Sequence, residues 1–235
     1  MALVEIINTP LFTDPNLQAY YRAENNLADS GPNGYNLTAE GSHGYPAGVF
    51  GQGLDVATSL AAFIASASCP NLEIAGDQTW MSWYKKTSGT DHAFLGKSNA
   101  SATIEKRMYN DSTGAISFLL TGAGQATSPA SSIVDGVFQF FCGVYDQTNS
   151  LLKIWVGSNH YDTATSSNAT ATGGQFALGR EGSYSNYANG TLDEVAIFNR
   201  ALSNTEILTY LAGGYASVNY LKYYRRTRYP GPITG

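Results

Sequence analysis

Short runs in which apolar and polar side chains alternate, separated by uncharged turns, dominate the chain. Leu17, Ala19, Tyr21 and Ala23 alternate with Gln18, Tyr20, Arg22 and Glu24, the pattern of a strand with one face in a core. Further strand-like runs fall at 47–57, 60–66, 79–86, 93–97, 102–109 and 115–121. Val137–Tyr145 differs from these. Val137, Gln139, Phe141, Gly143 and Tyr145 take one side and Phe138, Phe140, Cys142 and Val144 the other. A strand largely apolar on both sides belongs in the middle of a layered structure. Leu151–Val156 follows as its partner across the turn at 146–150. Gly122–Asp135 and Gly157–Gly174, rich in small and hydroxyl side chains, are expected to be loops. Strands at this spacing, with no alternating helices, predict an antiparallel sandwich.

The stretch from Asn189 to Leu208 organises the end of the chain. Asn189-Gly190 is a turn signal. Leu192, Val195, Ile197 and Phe198 supply strand content around the acidic pair Asp193-Glu194, whose side chains are expected on opposite faces. Ser203-Asn-Thr-Glu206 is a capping box, the signature of a helix start. Ile207, Leu208 and Leu211 follow at helical spacing, and Gly213-Gly214 ends the helix.

Composition adds a surface to this frame. An apolar content of 43% suits one sizeable core in 235 residues, whereas charged residues are only 13%, about half the usual share. Hydroxyl and amide groups must cover much of the outside, which suits sugars and also tight packing between copies. The net charge of −5 disfavours nucleic acid as a general partner. Four of the 13 basic residues lie after Glu206, leaving 9 bases against 18 acids in the body. That tail interleaves Tyr223, Tyr224, Arg225, Arg226 and Arg228, and is expected to fasten the chain to a neighbouring copy in a homo-oligomer. Cys142 reads as a buried thiol and Cys69 has no obligatory partner. The first residues lack the basic start and long apolar run of a secretory signal, and no stretch is long enough to insert in a membrane.

Several segments together resemble a known family. "LQAYYRAENNLADSGPNGYNLTAEG", "YPAGVFGQGLDV", "TWMSWYKKTSG", "GVFQFFCGVYDQTNSLLKIWVGSN", "FALGRE" and "NGTLDEVAIFNRALSNTEI" are similar, in order, to the strands of laminin G-like, concanavalin A-like domains. The resemblance spans about residues 15–213. It implies an all-β fold, a two-sheet antiparallel jelly-roll sandwich with one short C-terminal helix. The chain then divides into an N-terminal arm (1–16), the jelly-roll domain (17–213) and a basic, aromatic C-terminal tail (214–235). The resemblance also implies a structural calcium ion, with Glu24 and Asp193 at positions where the family supplies carboxylates. Hydrogen bonding to turns, or pairing with Arg22 or Arg200, is the alternative role for both acids.

The same fold hosts lectins, adhesion modules, virion proteins and glycan-degrading enzymes, so activity must be argued from residues. The Glu-x-Asp-x-x-Glu triplet of the β-glucanase branch is missing. His43, His92 and His160 lie far apart, and no Ser or Cys stands in a nucleophile-elbow context. No catalytic residue is assigned. Aromatic rings beside amides and hydroxyls are what a glycan site requires, and three places have them: His43 with Tyr45, His160 with Tyr161, and Tyr184, Asn186 and Tyr187. The expected function is non-catalytic carbohydrate binding or adhesion, to glycans of a host cell surface, in a structural or decoration component of a virion or other particle. A free-standing lectin module is the alternative, and a glycan hydrolase or lyase a weaker one. Without a signal, the expected location is a virion or particle surface, with the cytoplasm as alternative.

Overall fold

The computed structural model describes residues 10–56, 62–65, 69–89, 92–98, 104–165, 167–171, 173–181 and 187–212, with the backbone alone at 62–65 and 92. It divides into two compact units. The larger, Asn16–Leu202, is the sandwich; the other combines the N-terminal segment to Pro15 with the chain from Ser203.

Two antiparallel sheets build the sandwich. Sheet I runs in the order β1 (Leu17–Tyr21), β14 (Gly190–Phe198), β5 (Gln78–Lys86), β10 (Phe138–Asp146), β11 (Leu151–Val156) and β12 (Asn159–Ala164), with the short β3 (Leu54–Asp55) added beside β14. Sheet II runs β2 (Leu37–Glu40), β4 (Ala62–Ala65), β13 (Phe176–Leu178), β6 (His92–Ser98), β7 (Ile104–Asn110), β8 (Ile116–Leu120) and β9 (Gly124–Thr127). Strands distant in sequence are therefore neighbours in space, as a jelly roll requires, and β1 lies against β14 with Tyr21 opposite Val195.

Period-2 alternation fills the space between the sheets. Trp80, Tyr84, Phe141, Tyr145, Leu152, Ile154, Val195 and Ile197 of sheet I meet Leu95, Met108, Ile116, Phe118, Phe176 and Leu178 of sheet II in one apolar cluster. The fit is close at Gly143, where an added Cβ would collide with the ring of Phe118. β10 is buried on both sides, as its pattern predicts, with Phe140, Cys142 and Val144 at 1% exposure or less.

Three expectations are corrected. Gln125 and its neighbours form β9 inside the expected loop 122–135, because the turn at 121–123, with Gly122 at a φ of 91°, brings the chain back onto β8. His160 and Tyr161 lie on β12, not in a loop. Asp193 and Glu194 do not simply alternate: β14 bulges between Asp193 and Ala196, and Glu194 takes a positive φ of 51°. The bulge turns Glu194 to the same outward side of sheet I as Asp193, where it meets the Tyr20 hydroxyl.

In the second unit a helix, α1, spans 204–212. The Ser203 amide donates to Glu206 Oε2 at 2.8 Å, and the Glu206 amide donates to Ser203 Oγ at 3.2 Å, closing the capping box. Ile207 and Tyr210 are its buried positions, and the Tyr210 ring meets Phe12 edge-on at 5.9 Å. Leu208, expected on the apolar face, is exposed. No described helix is long and apolar enough to cross a membrane. Tyr223, Tyr224, Arg225, Arg226 and Arg228 lie outside the described residues, as do Tyr184 and Asn186.

Candidate functional site

Among the described residues, those expected to bind a ligand, His43, Tyr45, His160, Tyr161 and Tyr187, are not brought together. His43 and Tyr45 form an edge-on pair, 5.5 Å between centroids, on the loop before β3. That loop adjoins β14, whereas His160 is on β12, at the far edge of the same sheet. There the His160 ring lies 4.5 Å from Trp155, with Nδ1 2.7 Å from Asp162. Tyr161, next in sequence, packs against the core instead, since neighbours on a strand face opposite ways. Tyr187 bridges to Ala93 of sheet II. The sequence offered three places, and their described residues stay apart in the fold.

Glu24 and Asp193 do converge, on the loop 46–52. Asp193 Oδ2 accepts from the amides of Val49 at 2.7 Å and Phe50 at 2.9 Å, and Glu24 Oε2 from that of Gln52 at 3.3 Å. Glycine is required twice, because a Cβ at Gly48 or Gly51 would strike the carboxylate of Asp193 or Glu24. Both neighbours of Glu24, Ala23 and Asn25, have positive φ, at 56° and 57°, a strained backbone of the kind that collects at functional corners. Asp193 is fully buried and its Oδ1 accepts no hydrogen bond. Burial and the neighbouring Glu194 push its carboxyl up to about 8. Burial likewise raises Glu194 to about 7, against the Tyr20 hydroxyl and Arg22. These oxygens are the hard donors that calcium takes. Among the described residues, however, no three His, Cys, Asp or Glu side chains gather to hold a metal alone, so main-chain carbonyls would have to complete the set.

A third region was not foreseen from sequence. On the outward face of sheet II, register aligns Thr38, Ile64, Ala177, Gly96, Arg107, Leu119 and Gln125 in one row across all seven strands. Ala177 and Gly96 at its centre, with Ala93 nearby, are buried, and the half-exposed part of the row is its β7–β9 end, at Arg107, Leu119 and Gln125. Arg180 and Glu181, just beyond β13, send their side chains in opposite directions over the neighbouring strands. Arg180 Nη1 reaches Glu40 Oε2 on β2 at 2.8 Å, and Glu181 Oε1 meets Arg107 Nη1 on β7. The Arg107 guanidinium lies over the Tyr109 ring, 3.8 Å from its centroid. The Tyr109 hydroxyl donates to Gln125 Oε1 at 3.0 Å, and Gln125 Nε2 donates to Ser117 and Thr127 at 3.1 and 2.8 Å. Both guanidinium Nε atoms are buried without an acceptor. By contrast, the cavity inside the sandwich lined by Tyr21, Leu54 and Leu178 measures about 10 Å³, room for one water. That cavity is too small for a sugar.

The fold agrees with the comparisons. A family model described as the concanavalin A-like lectin/glucanases superfamily matches residues 58–208. The chain belongs to that superfamily. Among solved structures it is similar to domain 4 of AbnA, a GH43 extracellular arabinanase from Geobacillus stearothermophilus, in complex with arabinotriose. The TM-score is 0.64 at 17% identity, over 84% of this chain and 98% of that one. It is also similar to the ligand-binding domain of botulinum neurotoxin serotype D, in complex with N-acetylneuraminic acid (TM-score 0.64, 12% identity, 87% of this chain and 52% of that one). A third is Trypanosoma rangeli sialidase (TM-score 0.61, 12% identity, 84% and 32%). At these identities the likeness is one of fold. No curated protein matches the lectin-like chain.

Proposed function

We propose that this chain is a carbohydrate-binding domain whose ligand lies along the outward face of sheet II. The observation that carries the reading is the polar cluster at the β7–β9 end of that face: Arg107 held by Glu181 and lying over Tyr109, with Tyr109 bonded to Gln125, and the side chains of Arg107, Tyr109 and Gln125 all half-exposed. Hydroxyl-rich ligands need many fixed donors and acceptors beside an aromatic ring, and Arg107, Tyr109 and Gln125 supply both. Two structural neighbours hold saccharides, one uncharged and one acidic. Binding rather than turnover is supported by the state of the carboxylates. Asp193 is tied to amides, Glu194 to Tyr20 and Arg22, and Glu105 lies in the interior with Lys97 and Lys106. None of these pairs faces a space that a glycosidic bond could enter.

A glycan array followed by titration calorimetry tests the reading. Arg107→Ala should weaken binding by about tenfold or more while the far-UV spectrum stays unchanged. Equal affinity in a folded Arg107→Ala protein would move the site elsewhere.

We also propose a structural calcium ion held by Glu24 and Asp193, supported by the unpartnered Oδ1 of a fully buried carboxylate. When bound it would add positive charge beside three acids, Glu24, Asp193 and Glu194, that have Arg22 near them. Chelation should then lower the melting temperature, and an unchanged melt would remove the ion from the account.

A further inference from the structure

We propose that the outer edge of β12 is an interface between two copies of this chain, whose β12 strands pair antiparallel so that sheet I runs on from one copy into the other.

An edge strand presents main-chain donors and acceptors, and proteins close such edges with covering loops, short strands, prolines, bulges or lysines. At the opposite end of sheet I, β1 is closed by a loop. The Tyr20 amide donates to Asp29 Oδ1 at 2.8 Å, the Ser30 amide to the Tyr20 carbonyl at 2.7 Å, and Asn33 Nδ2 to the Gln18 carbonyl at 2.8 Å. The end strands of sheet II, β2 and β9, are four residues each. β12 is built differently. Its six residues, Asn159 to Ala164, include no proline and no lysine, and its register with β11 runs through six consecutive pairs without a bulge. Just past the strand, the Thr165 amide donates to the Ser150 carbonyl at 2.8 Å. An antiparallel ladder alternates, so Ala164, Asp162 and His160 turn their main-chain N–H and C=O groups away from β11. Asp162, Thr163 and Ala164 are exposed.

Charge says what fits this edge and in which register. His160 and Asp162 lie on the same outward side of β12, joined Nδ1 to Oδ1 at 2.7 Å, with side chains 31% and 38% exposed. Trp155 steadies the His160 ring at 4.5 Å, and Lys153 stands across from Asp162 on β11. When two β12 strands pair about a twofold axis at Tyr161, His160 of each copy stands opposite Asp162 of the other. The four side chains then form a square in which each carboxylate has an imidazole on both sides, one from its own strand and one from the other copy. Moving the axis to Asp162 would set two carboxylates face to face, which disfavours that register. At the favoured axis the two Tyr161 rings, each packed against its own core, become neighbours at the closer, non-hydrogen-bonded spacing. The same short sequence thus supplies both halves of the contact, as a twofold interface requires.

Sedimentation equilibrium of the full chain from about 1 to about 200 µM, with hydrogen exchange alongside, tests this. A reversible dimer is expected, and the amides of Asp162 and Ala164 should gain protection as it forms. Asp162→Pro deletes the outward N–H and the carboxylate but leaves the ladder to β11, because proline is accepted where the N–H faces off the edge. It should weaken dimerisation by about tenfold or more with the melt of the dilute protein kept. His160→Asp and Asp162→His, each alone, set like groups opposite one another and should also weaken the dimer. An equimolar mixture of those two variants should restore it, since every acid then meets an imidazole across the axis. Should Asp162→Pro melt early, the mixture decides. A chain that stays monomeric throughout would overturn the inference. So would a mixture that associates no better than its components, or a dimer that survives Asp162→Pro without protecting Asp162 and Ala164 in the parent, since its copies are joined elsewhere.

Discussion

The outward faces of the two sheets are built to opposite specifications. On sheet I, Met81, Trp83, Phe140, Cys142, Val144, Trp155, Ala196 and Phe198 all point away from the sandwich core, and all are buried. On sheet II the corresponding positions are Thr38, Ala177, Gly96, Arg107, Tyr109, Ser117 and Gln125. The inward faces are alike in kind, because both sheets must fill one core. What separates the sheets is therefore their outward half. A face of large apolar rings exists to be covered and contributes stability. A face of small, paired and hydrogen-bonded side chains gains little from being covered, and at Arg107, Tyr109 and Gln125 it stays half-exposed to a ligand.

The largest effect expected from this contrast is Phe140→Ala. Phe140 is 1% exposed and touches the Trp83 ring at 5.6 Å, so truncation loses transfer energy and leaves a cavity, for about 3–5 kcal/mol. Urea unfolding measures it. A loss under about 1 kcal/mol would show that the outward face of sheet I is not a packed layer.

Much of sheet I was legible from sequence. The two-sided apolar run at Val137–Tyr145 placed β10 in a layered interior, and the capping box placed α1, because both signals are local and strong. The row on sheet II was not legible. Arg107 and Glu181 are 74 residues apart, Arg180 and Glu40 are 140 apart, and each looks like any polar residue near a strand. Only the register of seven strands puts them in line. Sequence adjacency misled in the other direction at His160-Tyr161, where one ring faces out and the next faces in. The bulge at Glu194 was also hidden, since nothing in Asp-Glu-Val announces a residue with positive φ.

Among the polar groups on the outward side of sheet I is the buried pair Asp193-Glu194, and pH probes it. The ordinary values are 3.8 and 4.5, and burial raises the folded ones to about 8 and about 7. Both groups bind protons more tightly when folded. The stability they contribute is complete below about pH 4 and is lost as pH rises through 7 to 8. Lys106, lowered to about 8 by burial, acts with the opposite sign and only above that value. In chelator the melting temperature should therefore fall from pH 5 to pH 8, and calcium held at Glu24 and Asp193 should flatten the slope. Identical slopes with and without calcium would separate the carboxylate corner from any metal.

A smaller effect belongs to neither face. Ser203→Ala removes the acceptor for the Glu206 amide at the start of α1 and should cost about 1 kcal/mol. It calibrates what one hydrogen-bonded group is worth here, against the ring lost in Phe140→Ala. A shift as large as that of Phe140→Ala would mean that the helix start, and not the buried face, limits stability.

The smallest expected change in stability is the sharpest test of the contrast. Tyr109→Phe keeps the ring under Arg107 but deletes the hydroxyl that donates to Gln125 Oε1 at 3.0 Å. That bond is partly buried and its net worth is about 0.5–1 kcal/mol, partly recovered by water at this half-buried position. Unfolding should barely register the change. Binding should, because Gln125 then loses the contact that fixes its amide, and its donors to Ser117 and Thr127 are free to reorient. A glycan held along this face should lose about threefold to tenfold in affinity, equivalent to roughly 0.7–1.4 kcal/mol. The mirror experiment is Phe140→Ala at a temperature where it remains folded, which should leave glycan affinity unchanged. If Tyr109→Phe lowered stability and spared affinity, the outward face of sheet II would be a structural surface like its counterpart, and the division of labour between the two sheets would fail.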